Sequence, residues 1–155
     1  GDRAYVRGPA GKWTSSARDA QAGRLGLDLV GPVAPTFGGG ARAASALPRG
    51  TTAVIAHNDL VAVGLVDALT SSGRRVPEDV SVVGCDDVEL ASLVRPALTT
   101  VRMPLEQLGR RAVDRLAEQI TGSGPAGSAP TAADPVLAVT LTVRGSTAPY
   151  AAGRT

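Results

Sequence analysis

Apolar positions along this chain follow two rhythms, and the clearest stretch lies between Thr51 and Val94. Ala53-Val-Ile-Ala56 is a short continuous apolar run, the pattern of a strand buried on both faces of a parallel sheet. His57-Asn58-Asp59 follows with capping side chains, so a helix is expected from about Leu60 to Ser72, closed by Gly73 in the left-handed conformation. Pro77 then restarts an extended segment, and Val80-Ser-Val-Val-Gly84 reads as a second buried strand. A parallel pair needs the right-handed crossover that a helix provides, so the stretch predicts strand, helix, strand. The expected fold class is α/β, an open parallel sheet flanked by helices.

The flanking pieces fit that class. Ala4-Tyr5-Val6 reads as an edge of the same kind of sheet, followed by a loop through Gly8-Pro9-Ala10-Gly11, with Ser15 or Ser16 capping a short helix that ends near Gly23. Between Val30 and Phe37 one more strand is expected, with Gly38-Gly39-Gly40 as the entry to a helix around Ala41–Leu47. Pro104 at a first helical position and Glu106 in the first turn mark a helix from about Leu105 to Ile120. Its stripe of Leu105, Leu108, Ala112, Val113, Leu116 and Ile120 needs a partner, while Glu106, Arg110, Asp114 and Glu118 form a solvated face. Residues 122–135 read as a flexible connector, and Val136–Val143 alternates as a last strand before a loose tail.

The chain has 155 residues, 43% of them hydrophobic, which suffices for one domain with a real core. Glycine and proline, 19 and 11 residues, lack the period of a fibre. The net charge is +2, without a polybasic tract, and the only aromatics are Tyr5, Trp13, Phe37 and Tyr150. A nucleic-acid binder shows clustered cations and stacking aromatics, so the chain is not expected to bind DNA by itself. One cysteine, Cys85, excludes an internal disulfide. No charged-then-apolar leader or run of about eighteen apolar residues is present, so a cytoplasmic protein without a membrane partner is expected.

Candidate chemistry gathers at two loops, His57-Asn58-Asp59 and Cys85-Asp86-Asp87, which leave the carboxyl ends of neighbouring parallel strands. In open α/β sheets ligands bind outside those strand ends. Asn58 both donates and accepts while Asp86 and Asp87 only accept, an inventory that grips the hydroxyls of a polyol or sugar. The alternative for Asn58 or Asp59 is a plain N-cap, and for Asp87 a cap on a short helix over Val88–Val94. His57, Asp59, Asp86 and Asp87 are also metal-ligating types, but no spacing enforces a site, so neither metal nor cofactor is assigned. A single histidine and the absence of a nucleophile elbow argue against covalent catalysis, and Cys85 reads as a small core residue. Neither glycine cluster completes a phosphate-loop or dinucleotide motif. A metal-assisted hydrolase using Asp86 and Asp87 is the remaining enzymatic alternative; no enzyme is expected.

Three segments carry a family resemblance: Thr52-Ala-Val-Ile-Ala-His-Asn-Asp59, Arg75-Val-Pro-Glu-Asp-Val-Ser-Val-Val-Gly-Cys-Asp-Asp87 and Leu98-Thr-Thr-Val-Arg-Met-Pro104. With the opening Gly1-Asp-Arg-Ala-Tyr-Val and the closing Val143-Arg-Gly-Ser-Thr147, they resemble the carboxyl-terminal part of the effector-binding region of the LacI/GalR transcriptional repressors. The resemblance implies a type I periplasmic-binding-protein-like fold, in which two lobes close on a small effector, usually a sugar or nucleobase, and shift the operator affinity of an amino-terminal helix-turn-helix. Neither that module nor most of the first lobe lies in this chain. Residues 1–103 would be the second lobe, 104–121 a helix of the first, 122–135 a connector, 136–147 the return to the second lobe and 148–155 a tail. The implied effector contacts are Asn58, Asp86, Phe37 and His57. Arg18 substitutes for an arginine whose usual place is occupied by Ala20, and Met103 stands where a glutamine is common. Dimerisation through the surfaces around Val63 and Val94 is also implied, with ordinary core packing of both as the alternative. A secreted sugar-binding protein of a transporter is the rival reading of the same lobes.

Overall fold

A computed structural model describes residues 2–121 and 136–149. The expected connector at 122–135 and the tail beyond residue 149 lie outside the described residues. The elements run β1 (Asp2–Val6), α1 (Trp13–Arg24), β2 (Asp28–Val30), α2 (Phe37–Ala44), β3 (Thr51–Ala56), α3 (Asp59–Ser71), β4 (Ser81–Asp86), α4 (Leu90–Leu93), β5 (Thr99–Arg102), α5 (Leu105–Thr121) and β6 (Thr140–Thr142). They form a six-stranded sheet in the order β2-β1-β3-β4-β5-β6, in which β1 through β5 pair in parallel. The α/β class therefore holds.

Several elements depart from expectation. β1 is an interior strand, paired on one side with β2 and on the other with β3; alternation reports burial and says nothing of the neighbour count. Lys12, not Ser15 or Ser16, stands at the start of α1, and no side chain caps it. Ser15 is instead buried within the helix. β2 ends at Val30, so residues 31–36 carry no strand. Val76–Asp79 is a turn, which delays β4 to Ser81. β4 then runs through Cys85 and Asp86, which close a strand instead of opening a loop. The last strand is confined to Thr140–Thr142.

The glycine triplet has a different use from the helix entry expected of it. Thr36 caps α2 by accepting from the Gly39 N–H at 3.2 Å, so Gly38, Gly39 and Gly40 lie inside the first turns. A Cβ on Gly40 would run into the carbonyl of Val61, and one on Gly64 into the carbonyl of Phe37. The two glycines let α2 and α3 pack backbone against backbone. Val6, Val54, Val61, Leu65, Leu69, Val80, Val82 and Leu98 complete the core on this face of the sheet. Right-handed crossovers put α1 on the opposite face, where Ile55, mid-strand in β3, remains 42% exposed.

The chain divides into two compact units, Gly1–Arg102 with Leu141–Thr155, and Met103–Thr140. The second is dominated by α5, none of whose residues is buried. Its Glu106 and Arg110 form an exposed i,i+4 pair at 2.6 Å. Met103, Leu105, Leu108, Ala112 and Val139 line an apolar groove within this unit.

Candidate functional site

The carboxyl edge of the sheet in the first unit gathers the polar side chains. β1 delivers Tyr5, Arg7 and the loop to α1; β3 delivers His57 and Asn58; β4 delivers Cys85, Asp86 and Asp87. Arg18, one and a half turns into α1, reaches across the sheet end: its Nη1 donates to the His57 carbonyl at 2.7 Å and its Nη2 to Cys85 Sγ at 3.4 Å. Of the expected site residues, Arg18, His57 and Asp86 are thus brought to one place.

Burial and the Arg18 cation set the electrostatics. Burial, then the Arg18 charge, lowers the His57 pKa from its ordinary value and favours the neutral imidazole. Its Nδ1 lies 3.4 Å from Tyr5 Oη, and the ring packs where a side chain at position 8 would stand, so a Cβ there would displace the imidazole. Burial pushes the phenol of Tyr5 and the thiol of Cys85 up, with Arg18 opposing both shifts. Cys85 thus stays a protonated thiol, as expected of a core residue. Burial also raises Asp86, aided by the charge of Asp59 and opposed by Arg18. Asp86 is a half-buried carboxylate held above its ordinary pKa range, with φ 119, followed by Asp87 with φ 55. Positive φ outside glycine costs of order 1–3 kcal/mol per residue and clusters at ligand-binding sites.

Asn58 is the N-cap of α3: its Oδ1 accepts from the Val61 N–H at 2.9 Å, and its Nδ2 donates to the Pro35 carbonyl at 3.4 Å. The capping alternative is realised, and the amide N–H is the half of the side chain that a ligand can recruit. Asp59 is structural. Only 1% exposed, it accepts from Thr100 Oγ1 at 2.5 Å and from the Val88 N–H at 2.9 Å, tying α3 to β5 and to the segment after β4. The short helix after β4 covers Leu90–Leu93, and its N-cap, Glu89, makes no side-chain capping bond. Asp87 is therefore not its cap; it pairs with Arg102 and Arg144. Among the described residues, no group of three or more His, Cys, Asp or Glu side chains is placed to hold a metal ion.

Two aromatics stand at the same edge. Phe37 opens α2 at 46% exposure, and Trp13 opens α1 at 82%. Trp13 had no motif to announce it; its one signal is its place just after the β1 loop. Arg7 and Asp19 pair at 2.8 Å beneath α1, a contact 12 residues apart that spacing does not reveal. Val63 and Val94 are half-buried and pack against the core. Leu60, Leu90 and Leu93, their neighbours on α3 and α4, are the exposed apolar residues there.

Residues 4–147 match the family model of the periplasmic binding protein-like domain. The HTH-type transcriptional regulator MalR of Streptomyces coelicolor is 46% identical over 114 residues, 73% of this chain and 32% of its own length. A LacI family transcriptional regulator from Arthrobacter sp. FB24, solved in complex with lactose, superposes with a TM-score of 0.79 at 32% identity, covering 95% of this chain and 57% of that one. Another from Enterococcus faecalis V583, with bound ribose, gives a TM-score of 0.82 at 28% identity, covering 97% and 55%. The chain thus spans about a third of the MalR regulator and somewhat over half of each solved chain.

Proposed function

Because the chain belongs to the periplasmic binding protein-like domain family, within its LacI-type regulators, we propose that it is the effector-binding part of a DNA-binding transcriptional regulator whose effector is a sugar. One observation carries the sugar reading: Arg18, His57 and Asp86 converge on the carboxyl edge of the sheet, where α1 and α2 also begin with the exposed Trp13 and Phe37. A carboxylate, a guanidinium and an amide N–H from Asn58 supply acceptors and donors for hydroxyls, and aromatic faces suit the apolar side of a sugar ring. The lactose and ribose bound by the two solved regulators belong to this class.

The same reading assigns no chemical step to the chain. Effector binding favours one arrangement of the complete protein, and operator affinity follows by linkage through a helix-turn-helix outside this sequence. The 103–140 unit, with its bare helix, belongs to the other lobe of the complete regulator. A homodimer would use α3 and α4, through Leu60, Leu90 and Leu93 more than through Val63 and Val94. A cytoplasmic location accords with this role, and no described helix is long and apolar enough to cross a membrane. Relatives named as transcriptional regulators favour this role over a transporter's secreted binding protein.

Isothermal titration with lactose and with ribose tests the site. Asp86→Ala is expected to weaken binding about tenfold or more, the value of a charge-assisted hydrogen bond, while the variant still unfolds cooperatively. Equal affinity in wild type and variant would remove Asp86 from the site.

A further inference from the structure

Asp87, the residue after the ligand-facing Asp86, is engaged elsewhere. Its side chain is 3% exposed. Oδ2 accepts from Arg102 Nε at 2.5 Å and from Thr142 Oγ1 at 3.4 Å, and Oδ1 pairs with Arg144 Nη2 at 2.7 Å. Arg144 is anchored in turn: its Nη1 donates to the Leu98 carbonyl and its backbone N–H to Thr99 Oγ1, each at 2.8 Å. The chain leaves the first unit after Arg102 and re-enters it at Leu141. One carboxylate therefore grips the last residue before the chain leaves the first unit and two residues just after it returns. These partners, Arg102, Thr142 and Arg144, lie 15, 55 and 57 positions away along the chain.

We propose that Asp87 is a positioning residue that clamps both connections between the two units to the end of β4. That the clamp joins these connections to the ligand edge rests on the role of Asp86 proposed above. The positive φ at both Asp86 and Asp87 makes the link between them a constrained pair of residues instead of a relaxed loop. A buried carboxylate without its cations carries a severe desolvation cost, so the two limbs of the clamp depend on one another.

Hydrogen–deuterium exchange of the full chain tests this without any sugar, so its failure is separate from a failure of the sugar reading. Asp87→Asn is expected to speed exchange of amides in 99–102 and 141–146 about tenfold or more, while those of α3 keep their rates. Arg102→Gln is expected to loosen 99–102 less, and to add nothing there when combined with Asp87→Asn, because both substitutions remove one contact. Unchanged exchange at both connections, an equal rise throughout α3, or full additivity of the two substitutions would each overturn the clamp. If Asp87→Asn does not fold, Arg102→Gln, whose side chain is 61% exposed, still decides: exchange at 99–102 rises against α3, or the proposal fails.

Discussion

Helix α3 is announced by its capping residues and Gly73, and α5 by an apolar stripe, yet the two end in opposite environments. α3 buries Val61, Ala62, Leu65, Val66 and Leu69 against the sheet and α2. α5 buries nothing, and Leu108, Leu116 and Ile120 of its stripe stay exposed. The difference teaches that a stripe specifies a helix and a need for a partner, while the partner itself is specified elsewhere. For α3 it is supplied by glycines at positions 40 and 64, which let α2 approach to backbone contact.

Substitutions sharpen the contrast. The largest effect is expected for Leu65→Ala, which empties a fully buried site of α3 and should cost about 2–5 kcal/mol in urea unfolding monitored by circular dichroism. A loss under 1 kcal/mol would mean that α3 is not the core helix. Next, Asp87→Asn removes a buried carboxylate from two cations that reach solvent, Arg102 at 61% and Arg144 at 19% exposure, and should cost about 1–2 kcal/mol at neutral pH. Burial alone would raise the pKa of Asp87, but the hydrogen bond from Arg102 and the ion pair with Arg144 outweigh it and hold the carboxyl below the ordinary value. Its stabilisation is present above the unfolded-state pKa and fades as pH falls through the folded one, so the deficit of the variant should shrink in acid.

Asp86 carries the opposite sign. Its raised pKa favours the protonated form in the folded state, so the stability it contributes is complete below the unfolded pKa and lost as pH rises through the folded one. Asp86→Asn should therefore melt slightly higher than wild type at neutral pH, and the advantage should vanish in acid. A lower melting temperature at neutral pH would mean that Asp86 is structural like Asp59. The smallest effect is expected for Leu116→Ala on α5, at 57% exposure, with a change within about 0.5 kcal/mol.

The β3-α3-β4 unit was legible because its strands read as unbroken apolar runs, although β3 is buried on one face only and leaves Ile55 exposed on the other, and because Asn58 and Gly73 punctuate its helix in residue types. β5 was not read as a strand because Thr99 and Thr100 are polar; both are buried, with hydroxyls satisfied by Arg144, Thr147 and Asp59. The placement of Asp86 at the carboxyl edge was legible from the apolar run before it, though it closes β4 and does not follow it. Arg18 came only from the family resemblance, since nothing local shows that an α1 side chain reaches His57 and Cys85. Asp87 looked like a helix cap because its cations arrive from Arg102 and Arg144, and pairings of that separation leave no local pattern.

The central claim is that a sugar binds at the carboxyl edge of the first unit. Nuclear magnetic resonance shift mapping of the labelled chain, titrated with lactose and with ribose, tests it most directly. The account predicts saturable shifts gathered at Gly8, Trp13, Arg18, Phe37, His57, Asn58 and Asp86, with α5 unmoved. Shifts confined to α5, or no saturable shift with either sugar, would contradict it.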